Sequence, residues 1–109
     1  MSDDGHNGIG WAVKQMMMGY CVRRRGWNAP NLWIAISNIA GPRRIPAEQF
    51  WSAAARKFAE HQPDGKATVL PCIIMKVATG EILMGWLASQ TDLLSFDWEL
   101  VEDVKSAGE

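Results

Sequence analysis

Apolar residues fall at helical spacing over residues 9–18, where Ile9, Val13, Met16 and Met17 form one stripe and Gly19 follows as a left-handed C-terminal cap. The pattern then changes to alternation. Tyr20-Cys21-Val22-Arg23-Arg24 predicts a strand that runs into the turn Arg25-Gly26, with Arg23 and Arg25 on one face and Arg24 on the other. A loop, Trp27-Asn28-Ala29-Pro30-Asn31, separates it from a second strand, Leu32-Trp33-Ile34-Ala35-Ile36-Ser37. Leu32, Ile34 and Ile36 make an apolar face there, and Trp33 lies on the other. That placement implies a surface covered by something besides the main core, either a second subunit or a bound ring.

Gly41-Pro42-Arg43-Arg44-Ile45-Pro46 is expected to break the sheet. An amphipathic helix is predicted over residues 46–61, with Phe50, Trp51, Ala54 and Phe58 on the stripe that packs against a sheet face, and Gln62-Pro63-Asp64-Gly65 ends it. The second half is β-rich. Residues 69–78 contain Pro71, which belongs at an edge or strand start, and Ile82-Leu83-Met84-Gly85-Trp86 returns after the turn Ala78-Thr79-Gly80-Glu81 as an antiparallel hairpin. Trp98-Glu99-Leu100-Val101-Glu102 is a last strand. The expected fold is α+β: a small antiparallel β-sheet with an N-terminal helix, an inserted amphipathic helix and a short helix after the Trp86 strand. Residues 1–8 are expected to be disordered, 9–104 to form a single ligand-binding domain that includes the inserted helix at 46–61, and 105–109 to fray.

The junction after Trp86 is the most informative stretch. Ser89 is placed as an N-cap and Asp92, three residues on, as its capping-box partner, near the positive end of a short helix. A tryptophan face, free backbone N–H groups and small polar side chains meet there. From the local pattern this is first a well-capped helix after a core strand, and also the equipment for holding a ring and a phosphate.

Composition narrows the classes. A chain of 109 residues with a formal net charge of -1 is one domain's worth of sequence, without a global basic field for a nucleic-acid polymer. Its polar, acidic start is not a signal or transit peptide, and no apolar run reaches membrane-spanning length, so no membrane partner is expected. Cys21, Cys72, His6 and His61 are isolated, which points to a reduced cytosolic chain with no metal. Six tryptophans are the oddity. Each buries roughly 150–250 Å² and needs an indole N–H partner, so a core this small cannot hide them all, and some belong at an interface or in a pocket.

Catalytic signatures are missing. The chain has no G-x-S-x-G, P-loop, G-x-G-x-x-G or H-E-x-x-H, and His61 has no evident partner. Asp92, Asp97 and Glu99 cluster in sequence, a pattern expected of capping and solvated surface. The expectation is binding without turnover, and no cofactor.

The segments Arg25-Gly26-Trp27-Asn28, Leu32-Trp33-Ile34, Pro71-Cys72-Ile73-Ile74-Met75-Lys76 and above all Trp86-Leu87-Ala88-Ser89-Gln90-Thr91-Asp92-Leu93-Leu94 with Asp97-Trp98 resemble a small phage-encoded family. This is the second of the Thoeris anti-defence families, sponges for immune nucleotide signals. The resemblance leaves out the first eight residues, residues 41–70 and the tail, and residues 46–61 look like an insertion. It implies a homo-oligomer, a dimer of dimers, that works in the cytoplasm of the infected bacterial host. Its ligand would be glycocyclic ADP-ribose, sequestered without cleavage, with cyclic dinucleotides of CBASS as a further class. Carried over by motif, the ligand-binding residues would be Trp27, Asn28, Trp86, Ser89, Gln90, Thr91 and Asp92, together with Trp33 and Arg25. Asp92 is expected to accept from a ribose hydroxyl or an adenine amine while the N–H groups of Gln90 and Thr91 face anionic oxygen. The alternatives from other classes are a single-stranded nucleic-acid-binding module, whose affinity would fall steeply with salt, and a structural phage protein.

Overall fold

The computed structural model describes residues 7–105. The fold is α+β, with a five-stranded antiparallel sheet and a separate two-stranded one. In chain order the elements are α1 (Ile9–Met17), β1 (Tyr20–Arg24), β2 (Trp33–Ser37), β3 (Arg43–Pro46), a 3-10 turn (Ala47–Gln49), α2 (Ala53–Glu60), β4 (Lys66–Val69), β5 (Cys72–Lys76), β6 (Ile82–Met84), α3 (Gln90–Leu94) and β7 (Trp98–Lys105). Within the described residues the chain divides into two compact units, one running to Ile39 and resuming at Cys72, the other Ala40–Pro71.

The larger unit is the five-stranded sheet, in the order β6-β5-β2-β1-β7, with α1 and α3. The helix forms where the spacing predicts, and Gly19 closes it at φ +95°, a conformation that a residue with a Cβ adopts only under strain. The N–H of Gly19 donates to the Met16 carbonyl at 2.9 Å. Ala12 and Met16 of α1 pack on Val22, Ile34 and Trp98, all with at most 1% exposure, and these five residues are the core. Burying one tryptophan at ~25 cal/mol per Å² contributes roughly 4–6 kcal/mol as an upper bound, so Trp98 is the largest single term in this small interior.

The register assigns faces. Ile34 lies opposite Met75 and Ile36 opposite Ile73, on the α1 side, whereas Trp33 lies opposite Lys76 and Ala35 opposite Ile74, on the other. Trp33 is therefore turned away from α1, as its position in the alternation predicts, and it is half-buried. The β5–β6 pair is the expected antiparallel hairpin. β2 and β5 are antiparallel neighbours, and the whole of Ala40–Pro71 occupies the connection between them.

That second unit departs most from the pattern-based expectation. Arg43–Pro46 does not merely break a sheet; it forms β3, which pairs with β4 in a two-stranded sheet of its own. The expected continuous helix over 46–61 is a 3-10 turn followed by an eight-residue α2, because Phe50 is extended (φ -86°, ψ 136°) and Ser52 caps α2 anew by accepting from the Ala55 N–H at 3.2 Å. The predicted stripe is not what this helix buries. Ala59 is fully buried, whereas Trp51 is 92% and Phe58 60% exposed.

At the chain ends, the disorder expected over residues 1–8 and the fraying expected over 105–109 lie outside the described residues except at Asn7, Gly8 and Lys105, where Gly8 precedes α1 as its N-cap and Lys105 ends β7 opposite Tyr20. Asn7 bridges to Asp97 in parallel, and its side-chain amide donates to the Trp98 carbonyl at 3.2 Å. Of the six tryptophans, Trp98 is buried, Trp11, Trp27, Trp33 and Trp86 are half-buried and Trp51 is exposed, so the core indeed cannot hide them all.

Candidate functional site

Ser89 and Asp92 form the capping box that their spacing predicts. The Asp92 N–H donates to Ser89 Oγ at 3.1 Å, and the Ser89 N–H donates to Asp92 Oδ2 at 3.1 Å. What the spacing does not reveal is how much else converges on this carboxylate. Asp92 Oδ1 also accepts from Arg24 Nη1 at 2.9 Å and from the Trp27 indole N–H at 3.1 Å, and the Asp92 carbonyl accepts from the Trp98 indole N–H at 3.1 Å. Three strand- and loop-borne groups are thereby tied to the start of α3.

Arg24 is the second hub. Its Nε donates to Asp97 Oδ1 at 2.8 Å, and Asp97 Oδ2 in turn accepts from the Gly26 N–H at 2.8 Å. Both partners are largely shielded, with side-chain exposures of 13% for Arg24 and 11% for Asp92. These bonds raise the Arg24 pKa, the one to Asp97 most and the one to Asp92 next. Arg24 likewise holds the Asp97 carboxyl below its ordinary range. For Asp92, burial pushes the pKa up, but the bonds from Arg24, Trp27 and Ser89 outweigh it and the net direction is down. All three groups are thus charged at neutral pH.

This framework fixes an indole cluster. Trp27 meets Trp98 edge-on with ring centroids 5.5 Å apart, Trp86 meets Trp27 at 6.1 Å and Trp98 at 6.5 Å, and all three contacts are T-shaped. Such pairs contribute about 0.5–1.5 kcal/mol each beyond burial. The Trp86 backbone is anchored separately, its N–H donating to the Ile73 carbonyl at 2.7 Å. Trp98 is sealed in the core while Trp27 and Trp86 remain half-exposed.

A cleft of about 270 Å³ opens beside Trp27, lined by Arg23, Arg24, Arg25, Ala29, Pro30, Asn31, Leu32 and Glu99 as well as Trp27 itself. The three arginines separate as strand alternation predicts. Arg24 is committed to Asp92 and Asp97. Arg23 pairs with Glu99 at 2.8 Å, and Arg25, 62% exposed in its side chain, lies 3.8 Å from the same carboxylate.

The nine residues carried over from the family motifs do not all converge. Trp27, Trp86, Ser89 and Asp92 are joined by direct contacts or bonds, and Arg25 and Trp27 line the cleft. Gln90 and Thr91 are exposed in the first turn of α3, and Asn28 is exposed in the β1–β2 loop. Trp33 stands on the sheet face away from α1. The Asp92 carboxylate is held by three donors of its own protomer, which gives it the task of fixing Trp27 and the α3 start. Arg24, Asp97 and Gly26 belong to the framework and are not among the ligand-binding residues carried over, although Gly26 and Asp97 stand within the quoted motifs. Their role depends on β1 pairing with β7, where Arg24 lies opposite Trp98 and Arg23 opposite Glu99. Among the described residues no group of three His, Cys, Asp or Glu side chains is placed to hold a metal ion, and no helix is long and apolar enough to cross a membrane.

A family model described as the Thoeris anti-defense 2-like domain matches residues 7–101. No curated protein matches the chain.

Proposed function

Because the chain belongs to the Thoeris anti-defense 2-like family and is on that footing a phage anti-defence protein, we propose that it works as a sponge that binds a cyclic nucleotide immune signal and does not cleave it. The ligand we assign is glycocyclic ADP-ribose, with cyclic dinucleotides as the second class. The observation that carries this reading is the pair of half-buried indoles, Trp27 and Trp86, in edge contact with each other, of which Trp27 is held by Asp92 and lines a cleft bearing Arg23 and Arg25. Indole faces stack a purine and guanidinium groups take phosphate, the two halves of an adenine nucleotide.

Magnitudes favour a shared site. To compete with a receptor, a sponge needs a Kd of about 1 nM, near -12 kcal/mol. Stacking one base on an aromatic ring contributes ~1–3 kcal/mol, so several charge-assisted hydrogen bonds and near-complete enclosure must supply the rest. The cleft of one protomer, about 270 Å³, falls just below the roughly 300–1,000 Å³ that ligand sites span. A second protomer would supply the missing wall, which fits a homo-oligomer, as a dimer of dimers, with its pockets where subunits meet.

The test is incubation with glycocyclic ADP-ribose, removal of free ligand, heat denaturation and mass spectrometry of what is released. Recovery of unaltered ligand in stoichiometric amount supports the sponge. Recovery of a linearised or hydrolysed product identifies an enzyme instead, and no retained ligand discards the reading.

A further inference from the structure

We propose that Glu99 is a built-in counter-anion of the cleft: in the free protein it holds the guanidinium groups of Arg23 and Arg25, and a pyrophosphate displaces it on binding. The inference rests on the sponge reading of the same cleft, whose assigned ligand carries two adjacent phosphates, and adds to it the residue that selects for them.

Most guanidinium donors of Arg23 and Arg25 are unused among the described residues. Glu99 Oε2 accepts from Arg23 Nε at 2.8 Å, and Glu99 Oε1 lies 3.8 Å from Arg25 Nη1, an ion pair too long to be a hydrogen bond. Among the described residues, nothing else accepts from the Nη groups of Arg23 or from the guanidinium of Arg25. Each guanidinium carries five N–H donors, so this carboxylate satisfies one of about ten. Arg24, the neighbour between them, is the contrast, since all three of its side-chain nitrogens bond to Asp92 or Asp97. The same short run thus holds one arginine bonded to structure through every side-chain nitrogen and two held by a single shared carboxylate.

Position and charge complete the case. Arg23 and Glu99 face each other in the β1–β7 register, so the latch stands on two strands and its geometry is fixed, while Arg25 stands just past the end of β1. All three side chains line the cleft beside Trp27. Arg24, the third arginine of the lining, is paired with Asp92 and Asp97, so Arg23 and Arg25 are two cations that share the single anion Glu99. A monoanion gains little by replacing Glu99, because it substitutes one carboxylate-like contact for another. A pyrophosphate brings at least two charges and enough oxygens to engage both guanidinium forks at once, the bidentate geometry in which arginine binds phosphate best. Glu99 would therefore screen out nucleosides and singly charged metabolites and yield to a pyrophosphate.

The test titrates inorganic pyrophosphate, adenosine and glycocyclic ADP-ribose into the wild-type protein, Glu99→Gln and Arg25→Gln by calorimetry. In parallel, the Arg23 Nε–H resonance of the wild type is followed by NMR as pyrophosphate is added. The expected results are pyrophosphate affinity roughly tenfold higher in Glu99→Gln, lower in Arg25→Gln, and an Arg23 resonance that moves on saturation, with adenosine binding no tighter in Glu99→Gln. Pyrophosphate affinity unchanged or reduced in Glu99→Gln overturns the proposal, as does an Arg23 resonance that stays in place. If Glu99→Gln fails to fold, Arg25→Gln and the wild-type resonance decide. Tight uptake of glycocyclic ADP-ribose with equal affinity in wild type and Glu99→Gln discards the latch and leaves the sponge. The pyrophosphate gain without any nucleotide uptake discards the sponge and leaves the latch.

Discussion

The Trp27 indole N–H donates to Asp92 Oδ1 at 3.1 Å, a bond between residues 65 positions apart in the chain. It ties the β1–β2 loop to the first turn of α3, and it satisfies the one polar atom that a half-buried indole must place. The same oxygen takes Arg24, so the orientation of the ring and the strength of the ion pair are coupled.

That coupling is measurable. Asp92→Asn leaves Arg24 with Asp97 alone and substitutes a neutral amide for a charged acceptor, and a hydrogen bond to a charged group contributes about 1.5–3 kcal/mol. The variant should lose stability in that range by urea denaturation, and its ligand affinity should fall with it, since Trp27 loses its fixed position. In a double-mutant cycle with Trp27→Phe the two losses should be less than additive by about 1 kcal/mol. Full additivity would show that the bond contributes nothing in solution.

Gly26 is required by space. A Cβ added there would stand 2.7 Å from Asp97 Oδ2 and 3.1 Å from Arg24 Nη2, and the bond from the Gly26 N–H to that oxygen would be displaced. Gly26→Ala should lower the urea midpoint by an amount equivalent to about 1–2 kcal/mol, with the slope unchanged.

Acid should dissolve the framework. Asp92 and Asp97 are both held below their ordinary carboxyl value of 3.8. A carboxyl with a depressed folded pKa contributes stability that is fully present above its unfolded value, about 3.9, and that is lost as pH falls through the lower folded value. Denaturation free energies should therefore drop as pH is taken from about 5 to below 3. The deficit of Asp97→Asn relative to wild type should be full at pH 7 and should shrink across that same window. A deficit that persists unchanged in acid would mean that the Arg24 pair is not its source.

Much of this architecture was legible in the residues. Helical spacing and Gly19 located α1, strict alternation placed Trp33 on the opposite face from Ile34, and Ser89 with Asp92 announced a capping box that the structure contains. These signals are local, confined to a few neighbours along the chain. The second unit was less legible because Phe50 and Trp51 continue a plausible apolar stripe, and only the competing Ser52 cap shows where the helix restarts. The Arg24–Asp92–Asp97 framework was illegible for a different reason. Its members become neighbours only once β1 pairs with β7, and no turn of short reach specifies that pairing. Carboxylates 92, 97 and 99 look like solvated surface in sequence, yet two of them hold Arg24 and the third holds Arg23.

Trp86 separates stacking from folding. Its backbone is held by Ile73 independently of its side chain, and its ring meets Trp27 and Trp98 only by edges. Trp86→Ala should reduce ligand affinity by about 10- to 100-fold, given the ~1–3 kcal/mol of stacking, while the fold persists by circular dichroism. Trp86→Phe should recover most of the affinity.

Calorimetric titration of the purified protein with glycocyclic ADP-ribose, at two salt concentrations, is the most direct test. A Kd of about 1 nM that weakens only modestly with salt, raised about 10- to 100-fold in Trp86→Ala and mostly retained in Trp86→Phe, is the predicted result. No heat with this or any cyclised adenine nucleotide, or affinity that appears only for long single strands and collapses with added salt, would contradict it.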